Sequence, residues 1–312
     1  MSGPGNGLGK PVRRDGGQLV AQNRRKWIIL FSILPLSIYV IIVIIPLLNS
    51  FYYSFTDWNG FNQSYNRIGF ENFTRVFQDK LFANAIKNTA IWMIAAVVLP
   101  VSGGLFLALL LHEGIWGANF YKSLFYLPIC LSLAVIGQVW IWIYQPNWGL
   151  INTVLRAINL ENLTLAWLAN VNTALAAVII AWSWQQIGLA MVIFLAGLTS
   201  IPSELVEAAE LDGAPYLASL RHVIIPLLSP ATVVVIALSI INSLKSFDVV
   251  YMMTQGGPFH TTDTLAMFMY NETFKKYYMG YGSAIAVVLF LIAMVIIALY
   301  FRQVRELEHL YD

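Results

Sequence analysis

Apolar residues in this chain run together far more than they alternate with polar ones. Six runs are long enough, about 20 residues each, for a helix to cross the hydrocarbon of a bilayer. They cover 27–48, 89–111, 123–144, 173–198, 223–244 and 283–301. No period within them is informative, because lipid and neighbouring helices both accept apolar faces. Length and the absence of Asp, Glu, Lys and Arg carry the assignment. The pattern predicts an all-α membrane domain over 27–301 with six spans, preceded by a tail at 1–26 and followed by a tail at 302–312.

The segments between the runs differ in character. The stretch GFENFTRVFQDKLFANAIKNT (69–89) is amphipathic enough for one or two surface helices. It holds an Asn-x-Thr triplet at Asn72, of a kind common by chance. The stretch TQGGPFHTTDT (254–264) contains Gly256-Gly257-Pro258, which favours a turn. The segment 199–222 is the most unusual, because ELVEAAELDGAP (204–215) concentrates acids in a chain that is only 11% charged. Ser203, after Pro202, is placed to cap a helix, with Glu204 and Glu207 in its first turns favoured by the dipole. Asp212-Gly213 ends that helix, and Pro215 fits the first turn of a second one that runs on through Arg221 into the fifth run. The result is two short helices at a bend. Ala208 and Ala209 are small enough for another surface to approach the backbone, and Glu207 offers a charge for an Arg or Lys on it. A plain amphipathic connector would show the same pattern.

Composition agrees with a membrane protein. The chain of 312 residues is 58% hydrophobic, against 45–50% apolar and about 25% charged in ordinary globular chains. A net charge of +2 gives no reason to expect nucleic acid. The single cysteine, Cys130, excludes a disulfide framework and a cysteine-based metal site. The tail at 1–26 is Gly-rich and basic, with Lys10, Arg13, Arg14, Arg24, Arg25 and Lys26, and reads as disordered rather than as a cleavable signal. Basic residues before the first run and none after it until Arg67 place the N-terminus in the cytoplasm. Six spans return the C-terminus there, with Arg302 and Arg305. The segments 112–122 and 199–222 are then cytoplasmic, and 49–88, 145–172 and 245–282 face outward, although several basic residues fall on that side too.

The chemistry that is missing narrows the function. There is no GxxxxGK[ST] phosphate loop, no HExxH, no GxSxG and no pair of carboxylates within a run. No catalytic residue and no metal ligand set is expected, and the chain does not read as an enzyme. Ion-coupled transporters place ionisable groups in the membrane; here the nearest is Lys245, at the end of the fifth run, where it can snorkel to the interface. Neutral polar groups do occur. Trp182, Gln185 and Gln186 fall at i, i+3 and i+4, on one helix face. Ser239, Asn242, Ser243 and Ser246 share another, if the helix runs on past Leu244. Ser132 and Gln138 lie near the middle of the third run. Amides in hydrocarbon must find partners, so helix–helix adhesion accounts for part of this set. An aromatic ring beside amides also suits an uncharged, hydroxyl-rich ligand whose C–H face stacks on the ring.

The segment EAAELDGAPYLASLRHVIIP (207–226) resembles the EAA loop of the permease subunits of ABC importers, in which EAA, three residues, Gly, nine residues and I-x-L-P follow in order. Glu207, Ala208, Ala209, Gly213 and Pro226 are in place, with Val223 and Ile225 where Ile and Leu are preferred. SFTDW (54–58), GFENFTRVF, LTSIPSELVEAAELDGA (198–214) and TQGGP are similar to the maltose-transporter F-type branch of sugar importers. The likeness extends from the first span to the sixth. It implies a type I importer permease fold in the bacterial cytoplasmic membrane, with a cytoplasmic EAA coupling helix. Glu207, Ala208, Ala209, Asp212 and Gly213 would dock in a cleft of an ATPase subunit, with Glu207 pairing with a basic residue. ATP and magnesium would be bound by the ATPase pair and not by this chain, which would hold no cofactor. A second permease would complete the pathway, and an extracytoplasmic binding protein would deliver a neutral sugar or polyol. Substrate contacts would come from middle spans, in regions that fall here on Ser132, Trp182, Gln185, Gln186, Ser239, Asn242, Ser243 and Ser246. Maltose itself is not implied. A glycerol-phosphate or other polyol permease of the same branch is the alternative, and a stand-alone facilitator a more distant one.

Overall fold

The structure is a computed structural model and describes residue 28, residues 31–112 and residues 114–308. The tail at 1–26 and the end of the tail at 302–312 lie outside the described residues. Among the described residues there is no strand; Thr56 and Arg67 make one isolated antiparallel bridge. Four helices are long and apolar enough to cross a membrane: α1 (Phe31–Tyr53), α3 (Lys80–His112), α7 (Ala174–Thr199) and α13 (Met279–Glu308). Helix α1 belongs to a separate unit that ends at Tyr52. A short α2 (Glu71–Gln78) precedes α3, which begins nine residues before the span expected at 89.

The third and fifth spans are not the continuous helices expected from their apolar runs. Helix α4 (Ala118–Tyr126) and the turn Leu127–Cys130 meet α5 (Leu133–Ile143) at 107°. Pro128 brings no N–H to the helical ladder. The chain then extends at Leu131 (φ −91°, ψ 145°) and at Ser132, whose Oγ accepts the Val135 N–H at 3.4 Å and starts α5. In the same way α9 (Tyr216–Leu227) meets α10 (Ser229–Leu244) at 66°. Pro226 and Pro230 flank that corner at Leu228. Helices α6 (Leu150–Ala157), α8 (Ser203–Leu211), α11 (Asp248–Met253) and α12 (Leu265–Tyr270) complete the connections.

The core is the pair α3–α7. Helices in lipid gain little by hiding apolar surface from one another, so close backbone approach through small residues decides the pairing. A Cβ at Gly104 would stand 2.5 Å from the Cβ of Ala190 and 2.9 Å from its carbonyl carbon. Met191 and Phe194 fill the space around Ala108 with no exposed surface. Higher along the pair, Trp92 meets Trp182 edge to face, with ring centroids 6.0 Å apart. The start of α13 is held separately. Gly280 donates its N–H to Trp58 O at 2.8 Å, and Asn72 donates to the carbonyls of Ser54 and Thr56 at 2.9 and 2.8 Å. Asn72 is therefore a buried tie for the SFTDW segment.

Candidate functional site

Two groups of residues were expected to carry function, and they lie in different parts of the bundle. The first is the polar set in the spans. Gln185 on α7 is buried and donates both N–H bonds of its amide to the break in the third span, to Leu131 O at 2.7 Å and Pro128 O at 3.2 Å. Pro128 O also accepts the Leu131 N–H at 3.1 Å, whereas Leu131 O lies past the end of that turn, and hydrocarbon supplies no substitute for the Gln185 donor. Gln186 donates to Gln185 Oε1 at 3.2 Å, and Asn242 on α10 donates to Gln186 Oε1 at 3.3 Å. Three amides therefore form one chain across α10, α7 and the break. Ser239 is buried beside Gln186, and both line a cavity of about 10 Å³ between α3, α7 and α10.

The remaining members of the set lie apart from this chain. Trp182 is 1% exposed and packs in the core with Trp92, Tyr144 and Val249, so it shares no open surface with Gln186 in this conformation. The positions i, i+3 and i+4 span a broad arc of a helix, and here the arc crosses from the α3 contact to the α10 contact. Ser243 is fully buried and turns its hydroxyl back to Ile240 O at 2.7 Å. Ser246 does not extend the face of Ser239 and Asn242, because α10 stops at Leu244; its Oγ is buried without a partner, while its carbonyl accepts from Thr264 at 3.0 Å. Ser132 is exposed as the cap of α5.

The second group is the acidic segment. Helix α8 begins at Ser203, with Pro202 as its N-cap and no side-chain cap bond. Ser203 is thus inside the helix rather than its cap, and the Pro202 carbonyl accepts the Leu205 N–H at 3.2 Å. The C-terminal end closes as a Schellman turn: Gly213 N–H bonds to Glu210 O and Ala214 N–H to Ala209 O, both at 3.0 Å. Gly213 has φ +78° and nothing within 4 Å of where a Cβ would stand. Gly213→Ala is therefore expected to cost about 1 kcal/mol through backbone strain alone, read as a lowered melting temperature with an unchanged oligomeric profile. Pro215 is the residue before α9, and α8 packs back on the first half of α9. Glu204, Glu207, Ala208, Glu210 and Asp212 are exposed, Ala209 is half-buried, and Leu211 is 88% and Leu217 75% exposed. Behind α8, a cavity of about 650 Å³ opens toward the ends of α3 and α7, bordered by His112, Thr199, Val206 and Ile224. An acidic, apolar-edged knob therefore projects from one end of the bundle.

At the opposite end, the TQGGP segment is pinned to the start of α3. Asn84 donates to His260 O at 2.7 Å, and Asn88 to Thr261 O at 3.0 Å and Asp263 O at 2.9 Å. Sequence reasoning passed over these two asparagines; their spacing of four on a helix face was the available signal. Asp263 is 1% exposed, with one carboxylate oxygen 2.6 Å from His260 Nδ1 and the other lacking a hydrogen-bond partner. Gly256, at φ +92°, leaves the room for that second oxygen. Burial pushes the Asp263 carboxyl above its ordinary value, and the His260 imidazole pulls it back. The raised value means that the folded state binds the proton more tightly. The stabilisation is present below the ordinary value of 3.8 and is lost as pH rises through the raised one. Asp263→Asn is expected to flatten the pH dependence of the melting temperature over that window, measured by thermal unfolding in detergent. No cluster of three metal-ligating side chains occurs among the described residues.

Comparison with known proteins agrees with this architecture. A family described as "Binding-protein-dependent transport system inner membrane component" matches residues 100–308. A probable starch degradation products transport system permease protein, AmyD, of Thermoanaerobacterium thermosulfurigenes is 38% identical over 90% of this chain and 96% of its own length. The diacetylchitobiose uptake system permease protein NgcF of Streptomyces coelicolor is 33% identical over 94% of this chain and 85% of its own. Among solved structures, a chain of the bacterial alginate ABC transporter, crystallised with an alginate pentasaccharide-bound periplasmic protein, aligns with a TM-score of 0.78 at 21% identity, over 93% of this chain and 98% of that one. The fold is thus that of an ABC importer permease, a multi-pass transport subunit rather than an enzyme, and the chain belongs to the binding-protein-dependent transport system inner membrane components.

Proposed function

We propose that this chain is one of two permease subunits of an ATP-driven importer for a neutral sugar, oligosaccharide or polyol. The observation that carries the reading is the exposed acidic helix α8, which rests chiefly on its neighbour α9, contributes no residue to the buried core and ends in a Schellman turn. It has the form of a docking element for a cytoplasmic ATPase, with Glu207 as the charge that meets a basic residue and Ala208 and Ala209 as the surface of close approach. Asp212 and Gly213 set the exit angle of the chain. On this reading α8, and with it both termini, lies in the cytoplasm. ATP and magnesium belong to the partner. The TQGGP end then faces the binding protein.

The nature of the cargo is supported by the relatives, whose names specify starch degradation products and diacetylchitobiose, and by the uncharged character of the polar set. Gln186 and Ser239 line the small cavity between spans, Asn242 is half-buried beside Gln186, and Ser132 is exposed at the break. Gln185, Trp182, Ser243 and Ser246 would reach cargo only after the spans have moved. A glycerol-phosphate cargo would need cations; the nearest candidate to this set is Lys245, exposed just past the end of α10. Affinity purification of the tagged chain from gently solubilised native membranes tests the assembly. A second six-span permease and an ATPase are expected in the eluate by mass spectrometry, and recovery of the chain alone would overturn the reading.

A further inference from the structure

The amide chain joins two features that the importer reading leaves unconnected. One is the docking helix α8, which rests on the first half of α9. Helix α9 turns at Leu228 into α10, and the corner bears on Gly197 of α7, where a Cβ would stand 2.9 Å from both Leu228 Cδ2 and Ala231 Cβ. Displacement of α8 therefore reaches α10 through a corner held against a smooth, glycine-faced part of α7. The other feature is the break at Leu131–Ser132, where the Leu131 carbonyl depends on Gln185 and the Pro128 carbonyl shares the same amide. Between the two stands Gln186. It receives the Asn242 N–H from the moving side and holds the Gln185 carbonyl oxygen on the other.

We propose that Gln186 is a positioning residue of the transport cycle, a latch that transmits movement of α9–α10 to the broken third span. The contact that yields is Asn242–Gln186. At 3.3 Å it is the longest in the chain, it joins two neutral amides, and Asn242 is only half-buried. Gln185 is committed on both of its N–H bonds and on its oxygen, so its orientation follows that of Gln186. When α10 moves and Asn242 lets go, Gln186 can turn, the hold on Gln185 loosens, and the angle between α4 and α5 is free to change. The inference rests on the importer reading given above.

Cys130, exposed and adjacent to the break, provides a reporter, since it is the chain's one cysteine. In the full complex, assembled with cysteine-free partners, an environment-sensitive fluorophore on Cys130 is expected to change its emission when ATP is added. Gln186→Leu should abolish that change and lower uptake per ATP hydrolysed by about tenfold, within the range of coupling carried by such networks. Assembly of the complex should be retained. Asn242→Ala should reproduce this result, and the double variant should be no worse than either single one, as for members of one network. If Gln186→Leu fails to assemble, Asn242→Ala at the half-buried end decides alone. Retention of the emission change in Asn242→Ala overturns the proposal whatever the uptake ratio, because loss of a cargo contact alone would lower uptake and leave the break moving. A wild-type complex with no ATP-dependent uptake overturns the importer reading first, and the latch with it.

Discussion

Replacing Glu207 with arginine is expected to abolish uptake while leaving the chain folded in the membrane. Glu207 is exposed on α8, and exposed substitutions of this kind usually change stability by less than about 0.5 kcal/mol. Its carboxylate would become desolvated only on docking, against a basic group of the ATPase. Disrupting one side of such a pair costs about 2–5 kcal/mol, which lowers affinity by more than about thirtyfold. Two like charges would then face one another, which adds repulsion to the loss. The expected result is normal membrane content and melting temperature of Glu207→Arg, absence of the ATPase from the purified complex, and uptake at background. Unchanged uptake in this variant would remove the docking role from α8.

The second large effect is expected at Gly188. A Cβ there would stand 2.2 Å from the carbonyl oxygen of Phe125 and 3.2 Å from its carbonyl carbon. Both obstacles are backbone, so no rotamer change relieves the clash. Gly188→Val must push α4 away from α7 one helical turn beyond Gln185, and so draw the Leu131 carbonyl off the amide that satisfies it. Overpacking costs about 1–3 kcal/mol and occasionally more, and an orphaned buried polar group adds a similar amount. The variant is expected to lose most of its folded yield in membranes. Gly103→Ala serves as the comparison, because the atoms nearest its Cβ, at 3.1–3.4 Å, all belong to the Ile187 side chain, which can shift. A Gly188→Val protein with the wild-type melting temperature would contradict the close approach of α4 and α7.

The sequence made the spans legible because membrane thickness imposes a length, and a run without charges satisfies it. It also marked the ends of α8, since Asp212-Gly213 and Pro215 act on the backbone locally. The corners at Leu131 and Leu228 were hidden for a different reason. Pro128, Ser132, Pro226 and Pro230 are all visible in the chain, but a proline in an apolar run is compatible with a continuous span, as Pro100 inside α3 shows. What makes the first corner stable is Gln185, more than fifty residues away along the chain. Local pattern carries no trace of that bond. The same non-locality explains Trp182: its spacing puts it on one helix face with the glutamines, but which edge of that face meets Trp92 depends on how α3 and α7 cross. Ser203 was misassigned by one position, because the Pro202 carbonyl takes the part expected of the Ser203 side chain.

The most direct test of the central claim is uptake by the purified complex in proteoliposomes, with labelled maltodextrins and chitobiose derivatives supplied outside together with the cognate binding protein and ATP enclosed within. The account predicts accumulation of at least one of these sugars that requires both the binding protein and ATP hydrolysis. Sugar entry that proceeds equally well without ATP, or with this chain reconstituted alone, would contradict it.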